Sequence, residues 1–148
     1  MLDFFTGRSN RQEYWISVGL LIVVALALNF FNMQAASAAI TIMWIVTWIR
    51  RLHDVNLSGW WAALPILILF VIVGAVIAFG GNDVMVALRA VQADEETALT
   101  GPAANMFLIM ALAGLAVQFG FTIWLGIKAG TAGKNKFGEP PEPIFPSR

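Results

Sequence analysis

The sequence contains no cysteine, which excludes a disulfide framework, a thiolate metal site and a cysteine nucleophile. Histidine occurs once, at His53, so no second imidazole is available to complete a metal site; no metal and no cofactor are expected. Charge is scarce as well. Only 12% of the residues are charged, against roughly 25% in an ordinary soluble domain. A soluble chain of this length would need those charges to keep its surface solvated. The shortage excludes a free-standing soluble enzyme and a disordered regulator. Nine basic and nine acidic side chains cancel, so no nucleic-acid partner is expected. What is abundant is apolar: 59% of the chain, with a mean hydropathy of +0.76. That composition belongs in a membrane.

The charge-free intervals set the architecture. From Tyr14 to Ile49 there are 36 residues without a charged side chain. As one helix they would run about 54 Å, against a hydrocarbon core of about 30 Å. Asn29, Asn32 and Gln34 lie mid-interval and supply a polar turn, which predicts a hairpin of two helices over 14–29 and 34–49. Further intervals, Leu57–Asn82 and Thr97–Ile127, predict spans over 60–79 and 106–125. The runs are continuous and lack the period-two alternation of a barrel, so the spans are helices. The expected fold is all-α: a single membrane domain over 1–148, an integral membrane four-helix bundle.

Basic residues give the orientation. Arg8 and Arg11 precede span one, Arg50 and Arg51 separate spans two and three, and Lys128, Lys134, Lys136 and Arg148 follow span four. Four crossings put these on one side, which the positive-inside rule makes cytoplasmic, with both the N and C termini. That side carries a net charge of +3 and the outer loop, 80–104, one of −3. The neutral total is therefore polarised across the bilayer. Within the loop, Asn82 or Asp83 is expected to cap a short helix containing Val84, Met85, Leu88 and Val91. Asp94-Glu95-Glu96 follow, and Gly101-Pro102 is expected to form a turn. Ala36-Ser37-Ala38 has the small-residue look of a signal-peptidase site, but the chain is apolar again directly after it, and no cleavage is expected.

Three clusters carry potential chemistry. In Gly7-Arg8-Ser9-Asn10-Arg11-Gln12-Glu13-Tyr14-Trp15, Ser9 and Gln12 fit a capping box, and Arg8 and Arg11 are spaced to meet one phosphate on a helical turn. In Arg50-Arg51-Leu52-His53-Asp54-Val55-Asn56-Leu57-Ser58-Gly59-Trp60-Trp61, His53 is the only candidate catalytic acid or base, and two guanidiniums could clamp an anion. Neighbouring helix positions do not face each other, so His53 and Asp54 need not form a dyad; Asp54 equally fits a helix cap or a partner for the arginines. In Gly130-Thr131-Ala132-Gly133-Lys134-Asn135-Lys136-Phe137-Gly138-Glu139-Pro140, a P-loop is excluded, because Lys128 stands where the first glycine belongs and Asn135 where Ser or Thr belongs. Trp15, Trp60 and Trp61 are expected as interfacial anchors, and Pro65 marks a kink or the true start of the third span. Gln118 and Thr122, Gly74/Ala78 and Ala116/Gly120 are spaced to pack helices together.

The motifs GRSNRQEYW, RRLHDVNLSGWW and GTAGKNKFGEPP, in this order and separated by apolar spans, resemble the domain of unknown function 805 family of small bacterial inner-membrane proteins. The resemblance covers nearly the whole chain. It departs at Ala129 and Phe137, where the family often shows proline and tyrosine, and in the length of the 80–104 loop. It implies a four-helix inner-membrane protein and no particular activity.

The functional expectation is a non-enzymatic membrane module with a basic cytoplasmic platform. Its candidate anion-binding residues are Arg8, Arg11, Arg50, Arg51, His53, Asp54, Lys134, Asn135 and Lys136. Its expected partners are the lipid bilayer, anionic lipid in particular, and a second copy of the chain or another membrane protein. The alternatives are an interfacial enzyme on a lipid or phosphate substrate using His53, and an oligomeric small transporter or channel component. The spans contain no buried carboxylate or histidine, which disfavours a pump.

Overall fold

The computed structural model describes residues 7–33, 36–92, 101–142 and 144. Among them are helices α1 (Arg11–Phe30), α2 (Ser37–Asp54), α3 (Ala63–Phe79), α4 (Gly81–Gln92) and α5 (Gly101–Ile127), with a 3-10 turn over Gly59–Ala62 and no strand. Three helical segments are long and apolar enough to cross a membrane: Arg11–Phe30, Gly59–Phe79 and Ala104–Ile127.

Helix α1 starts at a cap different from the expected one. Asn10 is the N-cap, and its side-chain oxygen accepts from the Glu13 N–H at 2.8 Å. Ser9 cannot serve, because it is buried and its N–H donates across to the Arg50 carbonyl at 3.2 Å. Helix α1 ends in a Schellman motif. Asn32 takes φ 54°, Met33 N–H bonds Leu28 O, and Asn32 N–H bonds Asn29 O. The same motif ends α2: Asn56 takes φ 60°, Leu57 N–H bonds Leu52 O and Asn56 N–H bonds His53 O. Asparagine tolerates this left-handed position better than most side chains.

Helix α2 begins later and ends later than the 34–49 expected, so its last turn contains Arg51 and His53. Cations at a helix C-terminus face its partial negative charge, which stabilises the extension. The α3 boundary follows the 3-10 turn, with Pro65 in the first helical turn, where its missing N–H costs nothing. Gly101 and Pro102 are the first residues of α5 rather than a separate turn, for the same reason. Helix α4 begins at Gly81, so Asn82 and Asp83 lie inside its first turn. Asp94-Glu95-Glu96 and Gln34 lie outside the described residues.

The described residues group into two units, one running up to Ala62 and resuming at Thr122, the other Ala63–Phe121. In the first, α1 and α2 form a helical hairpin around Tyr14, Val18, Trp44, Trp48 and Leu52, all buried. Leu125 and Thr122, from the end of α5, are buried in the same unit. Thr122 does join helices: its hydroxyl accepts from Trp48 Nε1 at 3.1 Å, and its carbonyl from the Tyr14 hydroxyl at 2.8 Å. Gly74 and Gly120, by contrast, have open space around them, so those small-residue pairs make no close approach here. In the first unit close approaches fall at Gly126, where a Cβ would strike the Trp15 ring, and at Gly130, where it would strike the Asp54 carboxylate; in the second, one falls at Gly80, where it would strike Val84.

Candidate functional site

All three sequence clusters meet in the first unit. Asp54, the last residue of α2, lies between two guanidiniums. Arg8 donates from Nε and Nη2 to Asp54 Oδ1 at 3.2 and 3.0 Å, and Arg51 donates from Nη1 to Asp54 Oδ2 at 2.5 Å. All three side chains are at most 5% exposed. Two cations and one anion leave a surplus positive charge in a buried place, which is costly unless other groups answer it.

Backbone carbonyls answer it. Arg8 also donates to Gly133 O, Gly138 O and Thr131 O at 2.8, 3.0 and 2.6 Å. A guanidinium has five N–H groups, so every Arg8 donor is occupied. Arg51 donates to Leu125 O at 3.1 Å, to Ser9 O at 3.3 Å and to Lys128 O. Leu125 and Lys128 flank the C-terminus of α5, where the helix dipole presents partial negative charge. Burial pulls the Arg51 pKa below its ordinary value, and the Asp54 carboxylate beside it pushes it back.

The tail after α5 is shaped to reach these donors. Thr131 N–H bonds Asp54 O at 2.8 Å, just beyond Gly130. Gly133 and Gly138 take φ 75° and 119°, conformations that strain residues bearing a Cβ. Asn135 and Gly138 exchange backbone hydrogen bonds at 3.0 and 3.1 Å, closing a tight turn. Asn135 Oδ1 accepts from Phe137 N–H, and its Nδ2 donates to His53 O at 2.9 Å. The Phe137 ring stacks on the His53 imidazole, centroids 3.8 Å apart and planes 11° from parallel.

The remaining expected site residues disperse. Arg50 pairs with Glu13 at 2.5 Å and donates to Arg8 O. Arg8 precedes the Asn10 cap and turns inward, whereas Arg11 stays exposed and donates to Ile127 O at 2.6 Å. The two therefore do not share one phosphate, contrary to the spacing argument, because only Arg11 is helical. Lys134 is exposed, 3.6 Å from Glu139, and Lys136 lies over the Phe137 ring. Trp60 and Trp61 are exposed, as is 40% of Trp15. Sequence reasoning missed the roles of Gly126 and Gly130 and the pairing of Lys128 with Trp124, whose ring centroid lies 4.2 Å from Nζ. The last was readable from the four-residue spacing. Among the described residues no cluster of three or more His, Asp or Glu side chains could hold a metal.

A chain with helices and no strand among its described residues, three of those helices apolar and of membrane length, and a buried ion-pair clasp at helix ends is a multi-pass integral membrane protein. Residues 3–139 match the family described as protein of unknown function (DUF805), and the chain belongs to that family. It is 29% identical over 144 residues to the uncharacterized protein YiiR of Escherichia coli K12, covering 91% of this chain and 84% of that one. It is 28% identical over 74 residues to the inner membrane protein YhaH of the same organism, covering 40% of this chain and 61% of that one. The inner membrane is its location. No solved structure matches it.

Proposed function

We propose that the chain is a four-pass, non-enzymatic module of the inner membrane that engages anionic groups through surface cations on its cytoplasmic face. The observation that carries this is the division of labour among the basic residues. Arg8 and Arg51 are consumed inside the protein, and Arg50 is met by Glu13. Arg11, Lys128 and Lys136 form no ion pair among the described residues, and Lys134 is paired only loosely, with both partners over 70% exposed. A loose exposed pair is worth little and leaves its cation available. The buried arginines then build a scaffold, and the surface ones meet the partner.

Four passes with both termini cytoplasmic find support in a parity argument. Arg8, before α1, is bonded to Asp54, at the end of α2. If α1 crosses the bilayer, α2 must return for the two to meet. The charge-free part of α2, residues 37–49, is about 20 Å long, so the crossing rests on this ion pair rather than on the length of the helix. Thr131 and Gly133, after α5, bond the same Arg8, so the whole path makes an even number of crossings. The His53 ring, stacked on Phe137 beside a carboxylate already held by two arginines, supports a packing role over acid–base catalysis.

The test is retention of phosphatidylglycerol by protein extracted from its own membrane. Replacing Arg11, Lys128, Lys134 and Lys136 together by Gln is expected to lower co-purifying phosphatidylglycerol by about tenfold or more. Undiminished phosphatidylglycerol on the substituted protein contradicts the reading.

A further inference from the structure

The α1–α2 hairpin is closed at one end and open at the other. Toward the clasp, Tyr14 and Val18 on α1 and Trp44, Trp48 and Leu52 on α2 are buried. Beyond Val18 and Trp44, no described residue of either helix is buried. At that far end the two helices and the turn at Asn32 border a cleft of about 260 Å³. Ala25 has a single methyl where a larger side chain would fill the space, and Leu28, Met33 and Ile40 complete an apolar floor. Asn29, Asn32 and Thr41 line the same cleft and make the rest of it polar.

Size, charge and hydrogen bonding together define what fits. A cavity of about 150 Å³ holds benzene, so this cleft has room for a six-membered ring. From Tyr14 to Ile49 the chain carries no charged side chain, so nothing in the hairpin neutralises a phosphate at this end. Among the described residues, neither Asn29 nor Asn32 commits its side-chain amide to a hydrogen bond. An amide offers two N–H donors and one carbonyl acceptor, which suits hydroxyl groups that both donate and accept. The apolar floor beneath them suits the alkyl chain to which such a group is attached. Asn29 lies about 27 Å along α1 from Arg11, close to one hydrocarbon thickness. With α1 crossing and α2 returning, the cleft therefore opens in the outer headgroup layer.

We infer that this cleft binds one uncharged, hydroxyl-rich headgroup, a sugar, on an alkyl-chain lipid. Asn29 and Asn32 hold the hydroxyls, and Ala25, Leu28 and Ile40 receive the top of the chain. The site is separate from the basic face, since none of its residues is a cation. Loss of phosphatidylglycerol retention on the other side would leave it standing.

The test places the full chain in phosphatidylcholine vesicles with a little glucosyl diacylglycerol that carries a diazirine on its sugar, and maps the photoadducts. Adducts are expected to concentrate on residues 25–41. Unlabelled glucosyl diacylglycerol competes them away, whereas glucose and phosphatidic acid do not. N29A/N32G lowers adduct yield there about tenfold, with glycine retaining the left-handed turn at position 32. F70A, on an exposed face of α3, leaves the yield unchanged within about twofold. If N29A/N32G fails to fold, A25L carries the test, because it fills the floor without removing a hydrogen bond, with a loss of about fivefold. Adducts no denser on 25–41 than along α3 overturn the site, as does undiminished yield in a folded N29A/N32G protein. Competition by phosphatidic acid overturns the assignment to an uncharged group. Competition by glucose equal to that of the glycolipid overturns the assignment to a lipid.

Discussion

Asp54 is the residue on which the described site depends most. It is the lone carboxylate between two buried guanidiniums, and each of its oxygens receives an arginine. Removing one member of a buried charge network costs more than the network contributes, because the remaining charges lose their counter-ion without regaining water. Asp54→Ala is expected to destabilise the protein by about 3–5 kcal/mol, read as a fall in the unfolding midpoint in detergent. Replacing exposed, loosely paired Lys134 is expected to change it by less than about 1 kcal/mol. Equal effects at the two positions would refute the central place given to Asp54. Much of this was hidden in the sequence for a physical reason. The residue types were visible, but an arginine beside a span reads equally as a topology signal, a phosphate clamp or an ion-pair partner. For Arg8 the choice is made by partners 46 to 130 positions away, which local spacing does not encode.

Among the elements, the apolar helices were readable because lack of charge is a property of every residue in a run. Their ends were not. Helix α2 continues through Arg50, Arg51 and His53 to Asp54, past the point where hydropathy stops it, because its charges find partners in other segments. The cap at Asn10 replaces the one expected at Ser9 because Ser9 is committed to Arg50. Asn32 and Asn56 end α1 and α2 in the same left-handed conformation, although only the first stood out as a turn residue. Asn56→Gly is expected to preserve thermal stability, since glycine adopts that conformation freely. Asn56→Val is expected to lose about 1–2 kcal/mol. A valine variant as stable as the glycine one would show that the Schellman ending of α2 is not maintained.

For the molecule as a whole, scarcity of charge and its distribution express one design. Buried arginines tie the start of α1, the end of α2 and the tail together, while Arg11, Lys128, Lys134 and Lys136 stand outside that network and are the residues proposed to meet anionic groups. The membrane location and helical class followed from composition, whereas the clasp required the three motifs to be seen in one place. The central claim is that these three ends share one face of the bilayer, with α2 as a crossing. Absence of native cysteine makes it directly measurable with single-cysteine variants at Phe31, Met85 and Lys134, all exposed, and a membrane-impermeant maleimide. Inside-out vesicles are predicted to label the Lys134→Cys protein, and right-side-out vesicles the Phe31→Cys and Met85→Cys proteins. Labelling of positions 31 and 134 from the same side, with 85 from the other, would mean that α2 does not cross, and would contradict the account.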